Sequence, residues 1–294
     1  MKSSVLFAMA LTAPLVLTCQ EIILAQPEGK DIVIGQSIEM PSKIYDKDVR
    51  FSVVLPANYA DSQEKYPVLY SVQTYFLHIA GSIEHLARGQ IPEMIYIHLE
   101  TYDSGDLIPT PIPSRPDSGG ADRFISFFKD ELIPFIDSNF RTQPFRTLLS
   151  SSWGGVFCLY TLMTQPQVFK GYIAATPWFI YDGDEKYMLS HAESWLSERQ
   201  FAKNFLFMAM SNDPDPGLHE SFDAFSALLD SHPKEGLRSH HVTWMEEDHW
   251  SISHKAVYDG LKWIFEDWRE TPESVLSEGA SALKRYQSEL AELY

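Results

Sequence analysis

Along the body of the chain, short apolar runs alternate with longer stretches in which apolar residues recur every three or four positions. DIVIGQSIEM (31–40) and RFSVVLPANY (50–59) alternate or run apolar over strand lengths, with Pro and Asn closing them. YPVLYSVQTY (66–75) is an apolar run opened by Pro, as at a strand start, and EMIYIHLE (93–100) is a further β-branched run. A Pro- and Gly-rich stretch, TYDSGDLIPTPIPSRPDSGG (101–120), follows. It predicts no regular structure, and its length marks it as the border of a site rather than a plain connection. ADRFISFFKDELIPFIDSNF (121–140) is then an amphipathic helix with Phe124, Phe127, Phe128 and Leu132 on one side, which Pro134 is expected to kink or end.

The alternation continues to residue 268. FRTLLS (145–150), GYIAATP (171–177), KNFLFMAMS (203–211) and HHVTWMEED (240–248) read as strands. GGVFCLYTLMTQ (154–165), HESFDAFSALLDSH (219–232) and ISHKAVYDGLKWIFEDW (252–268) read as helices. Strands separated by helices of this length imply parallel crossovers, hence a doubly wound, mostly parallel α/β sheet with helices on both faces. We place this domain at residues 30–270, with a polar helical extension over 271–294.

The first residues change the picture of where the chain works. MKSSVLFAMALTAPLVLTC has one Lys and then an apolar run from Val5 to Leu17, short of the ~20 residues of a membrane span and shaped like a secretory signal. A cut after Ala25 satisfies the small-residue rule, giving a signal over 1–25. LVLTC resembles a lipoprotein box ending at Cys19, the minority alternative. The expected location is therefore periplasmic or secreted, with lipid anchoring as the variant and no integral span after cleavage. Cys158, the only other cysteine, lies in an apolar helical stretch and reads as a small core residue.

The net charge of −17 argues against nucleic acid or an anionic membrane as partner, since both are polyanions. No Cys/His metal spacing occurs, and neither metal nor cofactor is expected. The expected partner is a small-molecule ester; oligomeric state is not legible.

Candidate chemistry centres on RTLLSSSWGGVFCLY (146–160), a strand, a sharp turn and a helix. In the G-x-S-x-G elbow the nucleophile sits on a strained turn with small neighbours. Counting back from Gly154 makes Ser152 the nucleophile, with Ser150 in place of the first glycine. A nucleophilic serine needs a base and a carboxylate to orient that base, following in the order acid then His. MAMSNDPDPG offers Asp213 and Asp215 after a strand, with Asp213 preferred, and WMEEDHWSISHK offers His249 before the last helix. A Ser–His dyad without a committed acid stays open. Glu247 and Asp248 read as solvated carboxylates, His254 as a residue starting the last helix, and His240 and His241 as structural. His78 and His98 follow strands on the same edge of the sheet, where a structural role is again the better reading.

The sequence resembles the esterase family of α/β-hydrolases related to esterase D and to enterochelin (siderophore) esterases, from about Ser37 to Trp268. YPVLYSVQTYF is similar to its Y-P-V-L-Y-L-L-D-G block and DLIPTP to its D-L-T-P-T segment. GGADRFISFFKDELIPFIDSNFRT is similar to its long helix, SWGGVFCLYTL to its S-x-G-G elbow and DHWSISHKAVYDGLKWIF to its H-x-S-V block. The resemblance implies Ser152 as nucleophile, His249 as base and Asp213 as acid. It implies an oxyanion hole from the backbone N–H groups of Trp153 and Thr74. Two departures stand out: Gln73–Thr74 replaces the family's D-G, and Ser150 replaces Gly.

The expected function is a serine ester hydrolase that forms an acyl-enzyme, on an acyl ester or a siderophore-type ester. Alternatives are an acyltransferase on the same fold, or a non-catalytic binding protein motivated by the two departures. TPWFIYDGDEKYML (176–189) is expected to rim the mouth, with Trp178, Phe179 and Tyr181 available to stack on substrate; Trp178 and Tyr181 are the chosen substrate-binding pair.

Overall fold

The computed structural model describes residues 29–179, 187–269, 275 and 277–293. The expected signal segment, and with it the cleavage site and Cys19, lies outside the described residues. Two units divide after Val33: in Met1–Val33 the described residues carry no helix or strand, and Ile34–Tyr294 forms the other.

That second unit is built on one eight-stranded sheet. Its strands are β1 (Gln36–Ser42), β2 (Lys47–Val54), β3 (Tyr66–Val72), β4 (Ile95–Leu99), β5 (Thr142–Ser151), β6 (Gly171–Ala175), β7 (Asn204–Met210) and β8 (Leu237–Thr243), in spatial order β1-β2-β4-β3-β5-β6-β7-β8. β1 and β2 are antiparallel to their neighbours, and from β4 onward every pair is parallel. The doubly wound, mostly parallel sheet expected from the βα alternation is therefore present.

The central strands are apolar on both faces because both faces are covered. Successive residues alternate between two cores: Leu148, Tyr172, Ala174, Leu206 and Met208 join one cluster, while Leu149, Ile173, Ala175 and Phe207 join the other. The first cluster is filled by Phe124, Phe127, Phe128 and Phe157, and the second by residues of two helices, α1 (Phe76–Leu86) and the helix Ile252–Ile264. The helix after β5, Trp153–Thr164, is buried nearly all round, consistent with its unbroken apolar sequence. Cys158 within it is fully buried, and burial pushes its thiol pKa far above the ordinary range.

Several elements differ from the sequence pattern. α1 and a helix over Tyr187–Glu198 were not among the expected elements. The long helix runs as α2 (Ala121–Phe127), a π turn (Phe128–Leu132) and α3 (Ile133–Asn139). Pro134 neither ends it nor stops its packing. The wider π turn just ahead accommodates a ring that cannot donate to the preceding turn.

The Pro-rich segment is also more ordered than composition implies, with a 3-10 turn over Ser104–Leu107 and a bridge between Ile112 and Arg115. Asp106 is wholly buried there and paired with Arg123, which ties the segment to α2. Further helices among the described residues include, in chain order, α4 (Trp153–Thr164), α5 (Tyr187–Glu198), α6 (Pro216–Ser231), α7 (Ile252–Ile264), α8 (Glu266–Arg269) and α9 (Ala280–Leu293). α9 reaches the body through Tyr286, whose hydroxyl donates to the Asp267 carbonyl at 2.6 Å.

Candidate active site

The elbow between β5 and α4 is strained by construction. Ser152 has φ 59° and ψ −125°, a conformation costing roughly 1–3 kcal/mol for a residue with a side chain. Packing on both sides holds it. The Ser152 N–H donates to the Ala175 carbonyl at 3.0 Å, and the Ser152 carbonyl accepts from Gly155 at 2.9 Å and from Trp178 at 3.0 Å.

The two glycines after it are sterically required. A Cβ on Gly154 would lie 1.8 Å from Ser150 Oγ, and one on Gly155 would lie 2.8 Å from Pro177 Cα. Ser150 is fully buried and its hydroxyl donates to the Val72 carbonyl at 2.6 Å.

Two loops at the same edge of the sheet carry the other predicted groups. His249 Nδ1 lies 2.8 Å from Asp213 Oδ2, and the Asp213 side chain is 8% exposed. Asp215 is instead the N-cap of α6, where its Oδ1 accepts from the Gly217 N–H at 2.9 Å. The geometry thus separates two carboxylates that sequence spacing leaves close together. The loops are stitched to each other: the Asn212 N–H donates to the Glu247 carbonyl at 2.8 Å and its side-chain amide to the Met245 carbonyl at 3.2 Å.

Glu247 is half-buried and Asp248 exposed, and both are engaged, which revises their reading as plain solvated carboxylates. Asp248 Oδ1 accepts from the N–H groups of Trp250 and Ser251, both at 2.8 Å, and Ser251 Oγ donates to Glu247 at 2.6 Å. The N–H donors of Ser251 and Trp250 hold the Asp248 carboxyl below its usual range. Together these bonds shape the turn that presents His249.

A cavity of about 310 Å³ joins the pieces, lined by Gln73, Thr74, Tyr75, Tyr102, Ser151, Ser152, His249, Trp250 and Ser253. The serine and the histidine therefore face one space. The backbone N–H groups of Thr74 and Trp153 have no hydrogen-bond partner among the described residues. Among those residues, no cluster of three or more His, Cys, Asp or Glu could hold a metal ion.

The aromatic residues at the site include one that the sequence singled out. Trp178 sets its ring edge-on to His249, with centroids 5.5 Å apart, and Tyr181 lies outside the described residues. Phe179 is 1% exposed and packs on Phe225, so it is core rather than a stacking platform. Tyr75 and Trp250, at 49% and 68% exposure, line the cavity along with Tyr102. Their neighbours in sequence, Gln73–Thr74 and His249, were the available signal, since side chains beside site residues at strand ends also reach the mouth.

The other histidines sit outside this constellation. His78 and His254 pack ring to ring at 5.4 Å between α1 and α7. His98 Nδ1 lies 2.9 Å from Ser71 Oγ, and burial lowers its pKa. His240 packs against Phe207 and Trp263, and His241 pairs with Asp230.

A family model described as "Putative esterase" matches residues 42–260. The chain belongs to this family. Among curated relatives, the ferri-bacillibactin esterase BesA of Bacillus subtilis is 37% identical over 73 residues, 22% of this chain and 25% of that protein. This chain thus spans a quarter of that relative's length. The siderophore triacetylfusarinine C esterase of Aspergillus fumigatus is 25% identical over 267 residues, 72% of this chain and 87% of that protein.

Among solved structures, an IroE-like serine hydrolase from Shewanella oneidensis matches with a TM-score of 0.75 at 28% identity, covering 86% of this chain and 88% of that one. The siderophore hydrolase EstA from Aspergillus nidulans matches with a TM-score of 0.68 at 19% identity, covering 82% and 99%, a likeness of fold. This esterase-family chain has the α/β-hydrolase fold.

Proposed function

We propose that the protein is a serine ester hydrolase in which Ser152, His249 and Asp213 act in sequence through an acyl-enzyme. The observation that carries this reading is the 2.8 Å His249–Asp213 hydrogen bond, with His249 lining one cavity together with a strained Ser152. Asp213 accepts a hydrogen bond from the Nδ1–H of His249, so Nε2 is the basic nitrogen available to Ser152. Ser152 Oγ attacks the ester carbonyl carbon as its proton passes to Nε2. The N–H groups of Trp153 and Thr74 receive the developing oxyanion, each worth about 3 kcal/mol. The tetrahedral species collapses, and the alcohol leaves with the proton from Nε2. Water, deprotonated by the same nitrogen, then releases the acid.

Membership of an esterase family supports ester hydrolysis, and the siderophore esterases among the relatives support a siderophore-type or other acyl ester as substrate. The aromatic lining by Tyr75, Tyr102 and Trp250 suits an acyl group with a flat or apolar face. We also read residues 1–25 as an export signal, 30–270 as the hydrolase domain and 271–294 as a helical extension, with action outside the cytoplasm. Among the described residues, no helix is long and apolar enough to cross a membrane.

Ser152→Ala should abolish turnover of short p-nitrophenyl esters and labelling by a fluorophosphonate probe, with the fold intact. Turnover surviving in that variant sinks the reading. Product analysis with an added acceptor alcohol separates hydrolysis from acyl transfer.

A further inference from the structure

The first turn of α4 has an unusual division of its N–H groups. An N-cap serine ordinarily turns its hydroxyl onto the N–H two or three residues ahead. Ser152 occupies the N-cap position but makes no such bond. The N–H groups of Gly155 and Val156 instead return to the Ser152 carbonyl, at 2.9 and 3.3 Å. The Gly154 N–H is taken by Gln73 Oε1 at 3.0 Å, across 81 residues of sequence. Only an oxygen can meet that donor, so the orientation of the Gln73 amide is fixed by it. Two groups of this turn are thereby left without a partner among the described residues: the Ser152 hydroxyl and the Trp153 N–H.

Gln73 also bears on the opposite donor. It stands between Val72, the last residue of β3, and Thr74, whose N–H is the second unpartnered donor. The Gln73 backbone is left-handed, with φ 53°, so the β3 exit turns sharply at this residue. A second tie lies one residue upstream, where Ser150 Oγ donates to the Val72 carbonyl at 2.6 Å. Two side chains therefore clasp the β3 exit to the elbow, one reaching from each side.

We infer that Gln73 is a positioning residue. Its side-chain amide caps α4 in place of Ser152, freeing the serine hydroxyl, and holds the Thr74 and Trp153 N–H groups at a fixed separation. Ser150 is the second half of the same clasp. The inference rests on the nucleophile reading above, and concerns how the oxyanion side is held.

The test is Gln73→Asn, in the full chain. Asn tolerates a left-handed backbone at least as well as Gln, so the turn itself is not penalised, but its oxygen is one methylene short of Gly154. We expect kcat on a short p-nitrophenyl ester to fall about 10- to 100-fold with KM within about threefold of the parent, as for loss of transition-state alignment. Gln73→Met, which keeps the length without the acceptor, should behave the same way. Ser150→Ala should give a smaller fall, and the double variant less than the product of the two.

Unchanged kcat in both Gln73 variants overturns the inference. So does a raised KM at unchanged kcat, which signals lost ground-state contact. Loss of kcat together with a collapsed thermal transition in both variants also overturns it, because the role is then structural. If Ser152→Ala still turns over, the nucleophile reading has failed; if it is dead while Gln73→Asn is fully active, only the clasp has failed.

Discussion

The two sides of the elbow at Ser152 are secured by different physics. On the β5–α4 side, steric exclusion dominates: Gly154 and Gly155 have no room for a Cβ, and the strained serine backbone is bonded into β6 and the segment after it. On the β3 side the elbow is met by two side-chain hydrogen bonds, from Gln73 and Ser150. Both residues depart from the pattern the family resemblance led us to expect. Ser150 fills space a glycine would leave, which makes Gly154 stricter. Gln73 supplies a reach across the site. A motif departure is thus read best by asking which neighbouring bond the new side chain makes.

The largest effect is expected from Asp213→Asn, outside both sides of the elbow, which leaves the packing but gives His249 the wrong tautomer. It should lower kcat about 10³- to 10⁴-fold with the thermal transition nearly unchanged, by steady-state kinetics and calorimetry. Breaking the steric side should instead cost stability. Gly154→Ala should destabilise the fold by about 1–3 kcal/mol in denaturant titration, because its methyl meets the Ser150 side chain. Ser150→Gly should restore most of that loss when combined with it, a coupling that additive effects cannot produce. The smallest effect is at the mouth. Trp250→Ala should raise KM about 3- to 10-fold for esters of aromatic acids and affect esters of aliphatic acids less, since only a flat acyl group stacks on the exposed ring.

How legible the site was depended on what each residue does. The candidate nucleophile, acid and base were all marked by chemistry-bearing side chains after strands, in the order the proposed roles require. Asp215 had the same signal as Asp213, and the structure separates them: Asp215 caps α6 while Asp213 bonds to His249. Of the aromatic residues after β6, Phe179 is core although it stands at a strand exit just as Tyr75 and Trp250 do, whereas Trp178 packs on His249. Whether such a ring faces cavity or core depends on the helices that pack beside it, and no local pattern carries that.

By itself, the sequence determined the α/β alternation, the apolar central strands with two covered faces, and the candidate Ser152, Asp213 and His249. Each follows from local side-chain chemistry and short-range periodicity. Tertiary structure decided the π turn ahead of Pro134, the engagement of Glu247 and Asp248, and the role of Gln73, whose partner is 81 residues away. The physical reason is range. Periodicity and propensity act over a few residues, whereas a hydrogen bond between a strand exit and a distant helix exists only once the sheet has set its register.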